Sequence, residues 1–220
     1  QEHGYHTAVA GKWQLLTGNG GITPEQAGFD THCLWNIPGG GRNRYWNPSL
    51  VQDDKLLDMP EDSYGPDITT DFLINFIKKN QADPFLVYFP MILPHNPFHV
   101  TPDSKDPHSA DAKKNFIDMV QYIDKNVGRL EDTLTSLGLR EKTLIIFTSD
   151  NGTNAQLTSE LNGQPVQGGK GYTHDYGTHV PLIVNWPGQI QGGRVMKDLI
   201  CFSDIFPTMV DAAQLPAKQI

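Results

Sequence analysis

The sequence predicts an α/β fold, a mostly parallel sheet sandwiched by helices, and three observations carry the prediction. Residues 4–11, 85–89 and 143–149 are short runs of β-branched, aromatic and aliphatic residues, and in the last of them apolar side chains occupy both alternating positions. Strands of that kind are buried on both faces, as in parallel sheets covered by helices. Between them lie two segments, 67–81 and 111–137, with apolar residues at spacings of three and four, the period of an amphipathic helix. The resulting strand, helix, strand order calls for a right-handed crossover joining parallel strands.

Taken in order, residues 4–11 are bounded by glycines and read as a strand, with Lys12, Trp13 and Gln14 at its carboxyl end. Residues 17–66 are rich in Gly, Pro, Asn and Trp and lack periodicity, so they read as one long ordered loop insertion; Trp35, Tyr45 and Trp46 there either line a pocket or pack beneath the loop. Asp67 is the expected N-cap of the first helix, which puts Ile68, Phe72, Phe76 and Ile77 on one face. The strand 85–89 runs into Pro94-His95-Asn96-Pro97, where proline keeps the backbone from becoming helical.

The helix 111–137 covers one face of the sheet with Phe116, Val120, Ile123, Val127, Leu130, Leu134 and Leu137, and Gly138 follows as its stop. The strand 143–149 comes next and ends in Asp150-Asn151-Gly152. Residues 153–167 read as an exposed polar loop, 180–186 as another strand, 198–201 as a short extended stretch, and 205–213 as a helix capped by Asp204.

Composition narrows the function classes. A formal charge of -8 and a pI near 5.4 give no basic face for nucleic acid. No apolar run reaches the ~20 residues that span a bilayer, and no signal peptide is visible. Cys33 and Cys201 are too few for a disulfide framework or a zinc site and are expected as buried free thiols. The chain lacks an initiator Met and opens at Gln1 within a few residues of a strand, which suggests an internal or processed piece of something longer. Nothing in the pattern fixes an oligomeric state.

Chemistry concentrates where strands end, the usual ligand side of parallel sheets. Asp150 and Asn151 offer hard oxygens suited to Ca²⁺ or Mg²⁺, or else form a turn with Gly152. Lys12 is either solvated surface or an ammonium that binds an oxyanion, and His95 a proton donor, ligand, anion contact or surface residue. Lys170 stands between glycines without a full phosphate-loop pattern. His174, Asp175 and His179 are close in sequence, so a metal cluster there is conceivable; His99 and His108 read as surface residues.

Gly4-Tyr5-His6-Thr7 with Gly11-Lys12-Trp13, Pro94-His95-Asn96-Pro97, Ser149-Asp150-Asn151-Gly152, Gly169-Lys170-Gly171, Val180-Pro181-Leu182-Ile183-Val184 and Asp204-Ile205-Phe206-Pro207-Thr208 occur in the order in which similar segments recur in the sulfatases. In these stretches the chain resembles the sulfatase family of the alkaline-phosphatase-like superfamily. The resemblance implies hydrolysis of a sulfate ester, on a sulfated carbohydrate or an aryl sulfate, with a divalent cation at the strand ends, usually Ca²⁺. It implies Asp150 and Asn151 as metal ligands, Lys12 and Lys170 as contacts of the sulfate, and His95 as a sulfate contact that helps protonate the leaving oxygen.

The family's nucleophile is a formylglycine made from a Cys or Ser in a Cys/Ser-x-Pro-x-Arg motif. That motif is absent here and is expected upstream, so these residues alone should not turn over substrate. Gln14 stands where the family often has histidine; it can hydrogen-bond an oxygen of the substrate but cannot carry a proton at neutral pH. His179 stands where an arginine is common. By resemblance the compartment is periplasmic, secreted or lysosomal. Two rivals share much of the pattern: a phosphate or phosphonate monoester hydrolase of the same superfamily, and a non-catalytic homologue that binds sulfated glycans.

Overall fold

The computed structural model describes residues 3–16 and 21–216. Its fold is mixed α/β with a mostly parallel central sheet. Strand β1 (His6–Lys12) lies inside that sheet, between two parallel neighbours. It pairs in parallel with β2 (Thr31–Trp35), Lys12 opposite Trp35, and on its other side with β5 (Phe85–Tyr88), Val9 opposite Tyr88. Two short strands, β3 (Val51–Gln52) and β4 (Lys55–Leu56), extend it antiparallel beyond β2.

Alternation along β1 explains its burial on both sides. Ala8 and Ala10 join Cys33 and Trp35 in the core beneath the helices, whereas Val9 joins Leu34, Val51, Trp13 and Ile37 on the opposite face. Strand β2 corrects the reading of 17–66 as a loop insertion, because it lies inside the main sheet. Its residues His32 to Trp35 are all buried, so no polar alternation marks it as a strand.

Helix α1 (Gly65–Lys79) starts two residues before the expected Asp67 cap, with Pro66 in its first turn and Tyr64 at the N-cap making no side-chain cap bond. The Asp67 carboxylate serves another purpose: it accepts from Tyr122 Oη at 2.8 Å and pairs with Arg129 at 3.3 Å, linking α1 to α2. Helix α2 (Ala112–Ser136) has the expected ends. Asp111 accepts from the N–H groups of Lys113 and Lys114 at 2.9 and 3.1 Å, and Gly138 at φ 68° closes a Schellman stop, with its N–H bonded to Thr135 O and that of Leu139 to Leu134 O. Met119 and Tyr122 are buried on α2, whereas Val120, expected in the core, is exposed. Asp111→Ala in the full-length protein is expected to cost about 1 kcal/mol, read as a lower denaturant midpoint with unchanged slope.

Among the described residues strand β6 (Ile145–Thr148) is not hydrogen-bonded to β5, the strand that precedes it across α2. It pairs antiparallel with β9 (Leu182–Asn185). Phe85 and Val87 of β5 and Ile145 and Phe147 of β6 nevertheless pack on the same core under α1 and α2. The outer face of β5 is open, with Leu86 39% and Tyr88 52% exposed, and every residue of β6 is half-buried, so neither strand is buried on both faces as expected.

Residues 158–167, expected as loop, form a hairpin of β7 (Thr158–Leu161) and β8 (Gln164–Gln167). Its two-residue turn is Asn162-Gly163, both at positive φ, the strongest short hairpin signal in the chain. A single-turn helix α3 (Asp175–Thr178) precedes β9, and α4 (Ile205–Ala212) follows a 3₁₀ turn at Phe202–Asp204. The Asp204 carboxylate caps that turn through Cys201 N–H at 2.8 Å and makes no cap bond to α4. Cys201 is exposed, contrary to expectation, and Cys33 is buried; both are free thiols. No helix among the described residues is long and apolar enough to cross a membrane.

Candidate anion-binding site

The carboxyl ends of β1, β5 and β6 converge, and the loops leaving them carry the charged residues. Lys12 ends β1, and its N–H donates to Pro90 O at 2.8 Å, tying it to the segment that leaves β5. This approach requires Gly11, at φ 118°, where a Cβ would lie 2.1 Å from Pro90 O. Buried Trp13 anchors the other side through N–H to Trp35 O and Nε1–H to Ile22 O, both 3.0 Å.

The segment around His95 is held from outside. Tyr45 Oη lies against the carbonyls of Ile92, at 3.2 Å, and His95; Trp46 Nε1 donates to Val100 O at 3.0 Å, and Asn115 Nδ2 to Phe98 O at 3.1 Å. Leu93-Pro94 and Asn96-Pro97 are both cis. Trp35 and Tyr45 are thus packed residues, and Tyr45 and Trp46 shape the site through backbone carbonyls.

Asp150, Asn151 and Lys170 belong to a second unit. Gly152 N–H donates to Gly177 O and Lys170 N–H to Thr153 O, each at 2.9 Å. The loops touch so closely that a Cβ on Gly152 would sit 1.9 Å from Tyr176 O. Gly152 therefore secures close approach between two loops and is more than a turn residue. Asn151 Nδ2 donates to Gly152 O at 3.1 Å, which leaves its Oδ1 as an acceptor. Among the described residues the exposed Asp150 carboxylate has no hydrogen-bond or ion-pair partner.

Electrostatics bring the two units together. Burial holds the Lys12 ammonium below the usual lysine range, Lys170 and Arg44 push it the same way, and Asp150 opposes them. Burial also holds His95 below the usual histidine value; the Asn96 carbonyl opposes this, and the charges of Lys170, Lys12 and Arg44 add to it. Tyr88, at the end of β5, is raised first by burial and then by Asp150. Lys12, His95, Lys170 and Asp150, expected from the sequence, therefore share one electrostatic neighbourhood. Asn151 adjoins Asp150, and Gln14 is exposed two residues beyond Lys12.

Arg44 is the residue that sequence reading missed. Its guanidinium carbon lies 4.7 Å from the centre of the Trp35 ring, and Nη1 is 3.1 Å from His95 Nδ1. Its signal was a cation amid aromatic residues, Arg42-Asn43-Arg44-Tyr45-Trp46, in an acidic chain. His95 Nδ1 is also 2.6 Å from Asn96 O, and the two contacts demand opposite tautomers. An arginine can only donate, so the Arg44 contact makes Nδ1 an acceptor and leaves the ring proton on Nε2; we take this charge-assisted bond as the governing one.

Other candidates lie elsewhere. His174 stacks on Tyr172 at 5.4 Å and meets the edge of Tyr176, and among the described residues His174, Asp175 and His179 form no metal-holding group. Among the described residues such a group is formed by Glu25, His32 and Asp54, at the opposite end of β2, where His32 Nδ1 faces Glu25 at 3.2 Å. His99 and His108 are exposed, as expected.

The fold and site thus define an α/β protein with a cation-rich shelf at its strand ends. The Sulfatase family model matches residues 1–215, and the chain belongs to the sulfatase family. It is 30% identical to the uncharacterized sulfatase YdeN of Escherichia coli (strain K12), over 98% of this chain and 42% of that protein. An arylsulfatase of Hemicentrotus pulcherrimus is 29% identical over 100% of this chain and 43% of that protein. A crystal structure of Ps i-CgsB in complex with k-i-k-neocarrahexaose matches with a TM-score of 0.80 and 25% identity, covering 98% of this chain and 52% of that one. The chain spans less than half the length of these two curated relatives.

Proposed function

We propose that these residues are the central part of a metal-assisted sulfuric ester hydrolase acting on a sulfated carbohydrate or an aryl sulfate. The observation that carries this reading is the shared neighbourhood of Lys12, His95, Lys170 and Asp150 at the ends of β1, β5 and β6. The charge of Lys170 helps hold the Lys12 ammonium below the usual lysine range, and a sulfate bound beside them would relieve that repulsion. Lys12 and Lys170 bind the sulfate oxygens and stabilise charge that grows on them. With sulfate bound, His95 takes up a second ring proton, its Nδ1–H donating to Asn96 O, and as imidazolium gives the Nε2 proton to the departing oxygen, returning to the neutral ring. Gln14 can hydrogen-bond the substrate and moves no proton.

Asp150 and Asn151 fit a hard cation, since one carboxylate is unpartnered among the described residues and the amide of the other commits its nitrogen and keeps its oxygen. Ca²⁺ takes 6–8 oxygens, so these two are part of a set, and Mg²⁺ is the alternative. When bound, the cation supplies Lewis-acid stabilisation of the sulfate oxygens. Neither cysteine here supplies the nucleophile. Cys33 sits in the core with its thiol pushed up to about 12 by burial, Cys201 is on the surface, and neither lies in the formylglycine motif. No bond-making step is derived from this chain, and residues 1–220 alone are expected to give no turnover. Among the described residues β5 and β6 each keep an unpaired edge above one core, which supports a place for further sheet between them. An exported or lysosomal setting belongs to the same reading.

The test compares sulfate and phosphate monoesters with the full-length protein, with and without chelator. Sulfate esters should be preferred by about 100-fold or more, and chelation should remove about 100-fold of the rate, restored by Ca²⁺. Preference for phosphate would move the protein to the sister activity. Glycan binding without turnover of either ester would mark a non-catalytic homologue.

A further inference from the structure

Arg44 carries a charge that the sulfate contacts do not account for. Arg129 and Arg140 are neutralised, by Asp67 and Asp71 and by Glu131 respectively. Arg44 is half-buried, and among the described residues no carboxylate lies within ion-pair distance of it. Three cations, Lys12, Lys170 and Arg44, therefore crowd a site where Asp150 is the acidic group that acts on Lys12, in a chain whose formal charge is -8. Concentrating positive charge against that background favours a ligand with more than one negative group.

The guanidinium is also pre-organised. Trp35, at the end of β2, supports it at 4.7 Å, and one Nη1–H is directed at His95 Nδ1. An arginine has five N–H donors in a planar fork, so one bond to His95 leaves most of the fork for a ligand. That fork matches the paired oxygens of a sulfate or a carboxylate. The residue lies on the segment between β2 and α1, while Lys12, His95 and Lys170 come from other parts of the chain.

We propose that Arg44 binds a second anionic group of the substrate, a sulfate or carboxylate carried beside the ester that is cleaved, and so selects polyanionic glycans over singly charged ones. This rests on the hydrolase reading for the identity of the first group, and on the geometry of Arg44 for the second.

Calorimetry on the full-length protein tests it with three probes: a monosulfated neocarrabiose, its disulfated form, and a chondroitin-derived disaccharide with one sulfate and one uronate. Wild type should bind at least one doubly charged probe about tenfold more tightly than the monosulfate, and Arg44→Met should erase that preference. Arg44→Lys, which keeps the charge and loses the fork, should retain part of it. Which doubly charged probe responds identifies the second group as sulfate or carboxylate. Absence of a preference in wild type, or equal weakening of all three probes in Arg44→Met, would overturn the proposal and leave Arg44 as a positioning residue for His95. An Arg44-dependent preference without hydrolysis of any sulfate ester would sink the hydrolase reading and leave this one standing.

Discussion

Gly11→Ala in the full-length protein is expected to lower the melting temperature by about 10 °C and to reduce any activity in parallel. Two costs combine. At φ 118° an alanine is strained, and its Cβ would stand 2.1 Å from Pro90 O, a backbone atom that cannot rotate away. Backbone strain of this kind costs of order 1–3 kcal/mol, and forced separation in a packed region adds about 1–3 kcal/mol more. At roughly 2–4 °C per kcal/mol for a domain of this size, about 10 °C follows. The displaced element is the junction between Lys12 and the loop of His95, so the catalytic geometry should suffer with the stability. Gly138→Ala is the matched control. Its φ of 68° is also positive, but nothing lies within 4 Å of the added Cβ, and about 1 kcal/mol is expected. Equal melting losses in the two variants would show that the Pro90 contact is not what Gly11 permits.

The ends of the long helix and the existence of β1, β5, β6 and β9 were legible because each rests on local chemistry: caps, glycine stops and apolar runs. The partner of β6 was not, since strand–helix–strand order says nothing of whether the two strands touch, and β9 took the pairing instead. Strand β2 escaped because burial on both faces removes alternation, and His32 inside it looks polar on paper while being 1% exposed. The β7–β8 hairpin was legible in Asn162-Gly163 and was passed over because the flanking residues are polar. In the site, Lys12, His95, Lys170, Asp150 and Asn151 stand in recognisable segments at strand ends. Arg44 has no such segment; it reaches the same place only because Trp35 and the carbonyls held by Tyr45 and Trp46 fold the intervening loop over it.

His95→Ala should reduce kcat of the full-length protein by about 10²–10³ on a sugar sulfate, and by much less on 4-nitrophenyl sulfate. The contrast follows from the assigned role. A sugar alkoxide is a poor leaving group and needs the Nε2 proton, whereas 4-nitrophenolate departs without one. Similar losses on both esters would point to sulfate binding as the main task of His95. The pH behaviour gives an independent check. Burial and the charges of Lys170, Lys12 and Arg44 hold the free imidazole below its usual value, so in the folded protein it stays neutral to lower pH than in the unfolded chain. Its effect on folding is nil above the unfolded-state value, and stability declines as pH falls from there towards the folded-state value, because the unfolded chain then binds the proton more readily. A bound sulfate reverses the local field and should raise the folded-state value, so sulfate affinity should increase as the pH is lowered through it. Titration of the His95 ring by nitrogen-resolved NMR, with and without sulfate, measures both directions; an unchanged midpoint on adding sulfate would remove His95 from the anion site.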